Sequence, residues 1–379
     1  MFYKSDKNYK LLKILFLSFF VFTIISFIVA SIFDYQINVL FAKGMDIYWL
    51  KIVVWVYEEM GMTQSYLFIF IFIAVYLEVK KIENKEKDLW NYILWTFYGA
   101  VATFWFVANI YWIVTTTKIN DGFGIGISGW FLESYSIRQI ILIVIFIFET
   151  TAFAIAFWYI RFKFIKRPDV LSAGYKVDAI KAFSAFIVSS LIVYLMKFVF
   201  GRPYFYSVIF DELFYSDRME ESWRTYWIQE GHKIKSWGIL DPKTETVSGV
   251  EYLGWWQIND LFGDFKNWFK PLGTGNPGRW NMDFPSGHMV SCFTMLYSAY
   301  FFIGEKKKRK INWKIWTLIG IWFLHMNIMQ YTQIVSRTHW ITDTAFTIAL
   351  SMVIIMFNSL IIEKIIEKQI AKQKNKKTI

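Results

Sequence analysis

WITDTAFTIALSMVIIMFNSLII, residues 340–362, runs for 23 residues with one charge, the Asp343 carboxylate near its start. As a helix such a run covers about 30 Å, the thickness of a bilayer's hydrocarbon core. Working outward, seven more apolar runs stand at 11–33, 66–79, 89–115, 139–160, 179–200, 289–304 and 313–335. Those at 66–79 and 289–304 fall short of the roughly 20 residues a span needs. Lipid gives a backbone amide no partner, so each run is expected to be helical. The chain of 379 residues is 56% hydrophobic, 21% aromatic and 19% charged, with 6 Pro and a mean hydropathy of +0.35. A soluble domain cannot hide that much apolar surface. The expected fold is all-α: a polytopic membrane bundle of about eight transmembrane helices.

The first run follows Lys4, Lys7, Lys10 and Lys13 and invites a signal-peptide reading. Its apolar stretch is too long for one, and Val29-Ala30-Ser31 is a weak cleavage site, so an uncleaved anchor is expected. The single cysteine, Cys292, lies in an apolar run. It excludes an internal disulfide and a cysteine metal cluster, and reads as a small buried hydrophobe.

The formal charge of +11 would suggest nucleic acid were it not for its placement. Of the 41 basic residues, 24 fall at the N-terminus and in 80–87, 161–176, 306–310 and 364–377. The intervening short loops hold few: Lys43, Lys51, Lys118 and Arg138. This is the positive-inside alternation of an eight-span protein in a cell membrane with both termini cytoplasmic. The basic loops would touch anionic lipid, and no nucleic-acid partner is needed. Heavy use of Lys, Ile, Phe and Asn fits an AT-rich bacterial genome.

The organisation expected is an N-terminal group of four spans (1–163), a cytoplasmic linker (164–178), a C-terminal group (179–362) and a basic cytoplasmic tail (363–379). The one long loop, 203–285, falls outside the cytoplasm by the alternation. It carries Trp223, Trp227, Trp237, Trp255, Trp256, Trp268 and Trp280 and the glycine-rich 273–278. Seven tryptophans argue against disorder. They fit an aromatic belt at the lipid interface, a lid over a lipid site, or both.

There are 4 histidines. His325 lies mid-span and reads as a core histidine bonded to a neighbour. His232, in the long loop, defaults to the surface. His288 belongs to Asp283-Phe-Pro-Ser-Gly-His-Met289, where Pro285 and Ser286 are helix-start signals and Ser286 is a natural cap. A helix N-terminus also aims free N–H groups and a positive dipole end outward, and Gly287 admits a ligand close to the backbone. Cap and phosphate cradle are both open readings. Lys197 and Arg202-Pro203 end the fifth span against the positive-inside bias, as snorkelling residues or as phosphate ligands. In the third cluster, Ser336-Arg337-Thr338-His339-Trp340-Ile341-Thr342-Asp343, Asp343 stands at i+4 from His339. It either satisfies that ring or holds one nitrogen so the other can act as a nucleophile. The alternation puts all three clusters on one membrane face, where two Arg, a Lys, a helix N-terminus and two His suit phosphoryl transfer without a metal.

These motifs resemble the type 2 phosphatidic acid phosphatase family, whose relatives include glucose-6-phosphatase and the vanadium haloperoxidases. The family carries Lys…Arg-Pro, Pro-Ser-Gly-His and Ser-Arg…His-x-x-x-Asp in this order. The second motif is intact at Pro285-Ser286-Gly287-His288, and the resemblance covers about 179–362. It implies a six-helix core, so that two N-terminal spans are additional. By the same resemblance, His339 is the nucleophile, Asp343 its orienter and His288 the general acid. Lys197, Arg202, Ser286, Gly287 and Arg337 would be phosphate ligands, with no cofactor. Two spacings depart from the family: Lys197 and Arg202 stand too close together, and Gln333 occupies the place of the third motif's Arg. Arg337, about one helical turn on, is expected to reach the same pocket. The implied activity is hydrolysis of a lipid phosphate or diphosphate through a phosphohistidine. The alternatives are transfer to a lipid alcohol, or a non-catalytic membrane protein with a degenerate phosphate pocket.

Overall fold

The computed structural model describes residues 7–115, 135–217, 221–230, 238–241, 243–257, 282–303 and 311–377. The readings placed on His232, Trp237, Trp268, Trp280, 273–278 and 306–310 lie outside the described residues, as do the side chains of Trp223 and Trp227. Eight helices stand at the eight apolar runs: α1 (Lys7–Ala42), α2 (Tyr48–Glu83), α3 (Asp88–Thr115), α4 (Tyr135–Phe162), α5 (Tyr175–Phe200), α6 (Gly287–Tyr297), α7 (Trp313–Val335) and α8 (Ile341–Lys377). Among the described residues six helical segments are long and apolar enough to cross a membrane, namely α1 to α5 and α8. Helix α6, even with its 3-10 extension Ser298–Phe301, is short of a span. Helix α7 is 23 residues long but carries His325, Asn327, Gln330 and Gln333 along its length.

Two boundaries differ from the hydropathy reading. Helix α2 begins at Tyr48, well before residue 66, because the residues that interrupt its apolar run are polar yet buried rather than looped out. Glu58 is 9% exposed, Glu59 4% and Gln64 6%, each partnered inside the bundle. Helix α1 runs on to Ala42 with a break in helical geometry at Phe33, immediately before Asp34.

The core is shared by α2, α5, α6, α7 and α8. Two membrane helices gain no hydrophobic drive by exchanging lipid for each other, so close packing and internal polar bonds must hold them. Helix α5 supplies the first through Ala179, Ala182 and Ala185, all buried on one face. The last helix also packs along the first, α8 on α1. Outward-facing Ile, Leu, Phe and Val on α1, α3 and α4 are exposed, as a lipid-facing surface requires.

The described part of the long loop forms short helices, Phe205–Val208, Phe210–Phe214 and Glu221–Glu230, and an antiparallel ribbon pairing Ile239 with Ser248. It packs onto one end of the bundle. Phe205, Phe210, Phe214 and Val247 form an apolar cluster with Ala42 and with Trp340 at the start of α8. Trp255 stacks on Phe284 at 5.9 Å and donates its indole N–H to Ser31 Oγ on α1 at 2.8 Å, whereas Trp256 is exposed.

Candidate active site

The end of the bundle under this loop gathers the polar side chains the motifs single out. Helix α5 terminates at Gly201, whose left-handed φ of 52° reverses the chain and turns Arg202 inward. Arg202 is 1% exposed. Its Nη1 donates to Asp343 Oδ1 at 2.8 Å and Thr342 Oγ1 at 2.7 Å, its Nη2 to Asp34 Oδ2 at 2.7 Å, and its Nε to the Leu253 carbonyl at 2.9 Å. The Trp340 ring lies 4.5 Å from the guanidinium. Expected among the phosphate ligands, Arg202 thus spends four donors on protein oxygens. One turn back on α5, Lys197 Nζ donates to the carbonyls of Met282 and Asp283, tying the end of the long loop to the helix.

From there the chain passes through a cis Phe284–Pro285 bond into α6. Ser286 has the backbone geometry of a cap, but its hydroxyl makes no capping bond and is buried with no hydrogen-bond partner among the described residues. The expected capping role is therefore not filled, and a polar oxygen stands unsatisfied beside the first N–H groups of α6. Gly287 is exposed, and among the described residues no atom lies within 4 Å of the place its Cβ would occupy. Of the two open readings, the free hydroxyl and the open approach favour the cradle.

His339 sits 4% exposed in the turn between α7 and α8. Its N–H bonds the Gln333 carbonyl at 3.1 Å, and its own carbonyl accepts from Asn38 of α1 at 2.9 Å. Its Nδ1 faces Asp283 Oδ1 and lies 3.5 Å from Asp343 Oδ2. Asp343 also accepts the backbone N–H of Trp340 at 3.0 Å, closing the first turn of α8 in capping-box fashion. With Oδ1 on Arg202, the carboxylate is fixed in place and so is the imidazole it faces. Burial lowers the basicity of the His339 ring, the Asp343 hydrogen bond acting the other way. Burial pushes the Asp283 carboxyl well above its ordinary range, and the charge of Asp343 adds to the rise.

The His288 ring faces the His339 ring edge to face, 6.1 Å between centroids. Its Nε2 lies 3.4 Å from Glu58 Oε1 on α2. Gln333 donates to the other oxygen of Glu58 at 2.5 Å. Arg337 is not one helical turn further along the same face, because α7 ends at Val335 and Arg337 occupies the turn with a left-handed φ of 66°. Its Nη2 donates to the Ala42 carbonyl at 3.3 Å, at the end of α1.

Pattern-reading of the sequence did not single out Asp34, Asn38, Glu58 or Gly61 for the site. A carboxylate set among apolar residues was the available signal for Asp34 and Glu58, and Asn38 and Gly61 carried none. His325 bonds Gln64 at 2.7 Å and Cys292 is buried, both as expected. Asp283, His339 and Asp343 each offer a ligand atom within 4.8 Å of one another, a set able to hold a cation. Asp343 already takes its positive charge from Arg202, and Lys197 stands behind Asp283.

No solved structure matches the chain. An uncharacterized protein of Mycoplasma capricolum subsp. capricolum is 28% identical over 362 residues, spanning 91% of this chain and 90% of the relative. That likeness extends well beyond half of the chain. A family model, that of the PAP2 superfamily, matches residues 178–367, half of the chain. It takes in α5 to α8 with Arg202, His288 and His339, the residues on which the resemblance of motifs rests, and the chain belongs to the PAP2 superfamily.

Proposed function

We propose that this protein is a membrane phosphatase that hydrolyses a lipid phosphate or diphosphate monoester through a phosphohistidine, with no metal required. Superfamily membership implies phosphatase-type chemistry on phosphate esters. The observation that carries the finer reading is the facing pair of imidazoles, His288 and His339, beside the N-terminus of α6 with carboxylates behind His339. His339 Nε2 attacks phosphorus while the bond to the leaving oxygen breaks, and His288 gives that oxygen its proton. Water then attacks the phosphohistidine, His288 takes the water's proton, and the P–N bond breaks to release phosphate. Asp343 keeps Nδ1 protonated and the ring oriented. Ser286 Oγ and the Gly287 N–H hold phosphate oxygens, with Lys197 and Arg202 as fixed positive charge behind them.

The alternation of basic segments supports an extracytoplasmic site and cytoplasmic termini. The helix end that bears Lys80 and Lys81 is the opposite end of α2 from Glu58. Exposed apolar helix faces beside the site support a lipid substrate delivered from the bilayer.

The test is phosphate release by the purified protein in detergent with chelator present, across phosphatidic acid, phosphatidylglycerol phosphate, polyprenyl diphosphate and a phosphorylated glycolipid. Release that disappears in His339→Ala, with an acid-labile phosphoprotein trapped in the wild type, supports the reading. No release, or release indifferent to His339, refutes it. A second reading, a phosphate-binding protein without turnover, is favoured by Gln333 in the place of an arginine. Vanadate binding without phosphate release from any ester would select it.

A further inference from the structure

We infer that Glu58, on a helix outside the segment matched to the superfamily, is the positioning residue for His288, pairing with it so that the acid of the reaction is a carboxylate–imidazole couple. This rests on the phosphatase reading above.

Four observations converge on the pair. Glu58 Oε1 lies 3.4 Å from His288 Nε2, and both side chains are close to 90% buried. The other carboxylate oxygen is clamped by Gln333 Nε2 at 2.5 Å, so Glu58 is held from two sides and points one oxygen at the ring. One helical turn from Glu58, Gly61 makes room for that ring: a Cβ there would stand 2.5 Å from His288 Cδ2 and 2.9 Å from Met329 Cε. Helix α2 is thus shaped around His288 by one residue that reaches it and another that yields to it. His288 Nε2 has no hydrogen-bond partner among the described residues, and the Glu58 carboxylate is the acceptor standing within reach of it.

The charged or titratable groups facing His288 are Glu58 from α2, His339 from the α7–α8 turn and Lys197 from α5. Two of these three repel a proton on His288, and among the described residues in this set Glu58 is the one that attracts it. An imidazole this deeply buried loses its proton readily unless an opposite charge holds it. The arrangement also explains the amide at position 333. An arginine there would neutralise Glu58, whereas Gln333 fixes the carboxylate and leaves its charge for His288.

The readout is leaving-group dependence, since a general acid matters for a poor leaving group and little for a good one. In Glu58→Gln, which keeps the Gln333 contact, kcat/KM on an alkyl phosphate such as a lysophosphatidic acid should fall about 100-fold, and on p-nitrophenyl phosphate less than about threefold. The basic limb of the alkyl-ester profile should move about one pH unit lower, because His288 gives up its proton more easily. Gly61→Ala, which displaces the ring without touching Glu58, should reproduce the selective loss. Equal loss on both esters in folded Glu58→Gln protein, or an unmoved basic limb, would overturn the role. If the wild type hydrolyses neither ester, the phosphatase reading fails instead. The pairing is then judged by NMR titration of isotope-labelled His288, whose midpoint must drop in Glu58→Gln for the inference to stand.

Discussion

Arg138 and Arg202 are both buried in a helical bundle, and their surroundings differ in one respect that matters. Arg138 of α4 meets one carboxylate, Glu59 of α2, at 2.7 Å, and is flanked by the Trp55 and Trp112 rings at 4.9 and 5.9 Å. One cation meets one anion there, and the other Glu59 oxygen accepts the Trp112 indole N–H at 3.0 Å. Arg202 meets two carboxylates, Asp34 and Asp343, with Asp283 close by. Two carboxylates there face one guanidinium, Lys197 stands one helical turn away on α5, and Asp343 also faces the His339 imidazole. The first arrangement joins two helices. The second holds a titratable ring in one orientation.

The largest expected effect separates the two regions by chemistry. His339→Ala should cut phosphate release at least about 1,000-fold, as removal of an activated nucleophile does, while Arg138→Met should leave the turnover of folded protein near wild type. Next, Arg202→Met should destabilise by about 3–5 kcal/mol, since it strands buried carboxylates, and should also lower kcat by freeing Asp343 and His339. Thermal unfolding in detergent and steady-state kinetics check the two parts. Arg138→Met alone should cost a similar stability, but the double change Glu59→Leu with Arg138→Met should recover to within about 1 kcal/mol, because a neutral buried pair exchanges well for apolar residues. No apolar double change at Arg202 and Asp343 should recover activity.

The smallest effect is in pH. Burial depresses the His339 ring, so its neutral, nucleophilic form persists below the ordinary histidine value of about 6.5. The acid limb of kcat/KM should therefore lie under that value. The stability this buried neutral ring contributes is complete above about pH 6.5 and is lost as pH falls toward its folded value. An acid limb at or above about 6.5 would mean that the two carboxylates outweigh burial.

How far the sequence could be read follows the same division. The eight helices were legible because their apolar runs are continuous in composition, and His288, His339 and Asp343 because their spacing is local. The apolar run of α2 begins only at residue 66, because Lys51, Glu58 and Glu59 interrupt the hydropathy before it. Only the fold shows that Arg138 and His288 receive the two acids. Ser286 reads as a cap because Pro285 beside it is a helix-start signal, and its hydroxyl instead has no partner among the described residues. Arg337 was extrapolated along a helix that stops two residues before it. Asp34 and Glu58 carried no motif, since each belongs to the site through a partner hundreds of residues away.

Asp34 of the first helix accepts both the hydroxyl and the backbone N–H of Thr342 at the start of the last helix, a sequence separation of 308 residues. A ribosome releases the second of these segments 308 residues after the first. The bracket around Arg202 and Asp343 thus closes only after the final helix has entered the bilayer and come to rest against the first. A truncated chain, or one whose last helix inserts in the wrong direction, would keep most of its membrane helices and still lack an ordered site, so premature products are silent by construction.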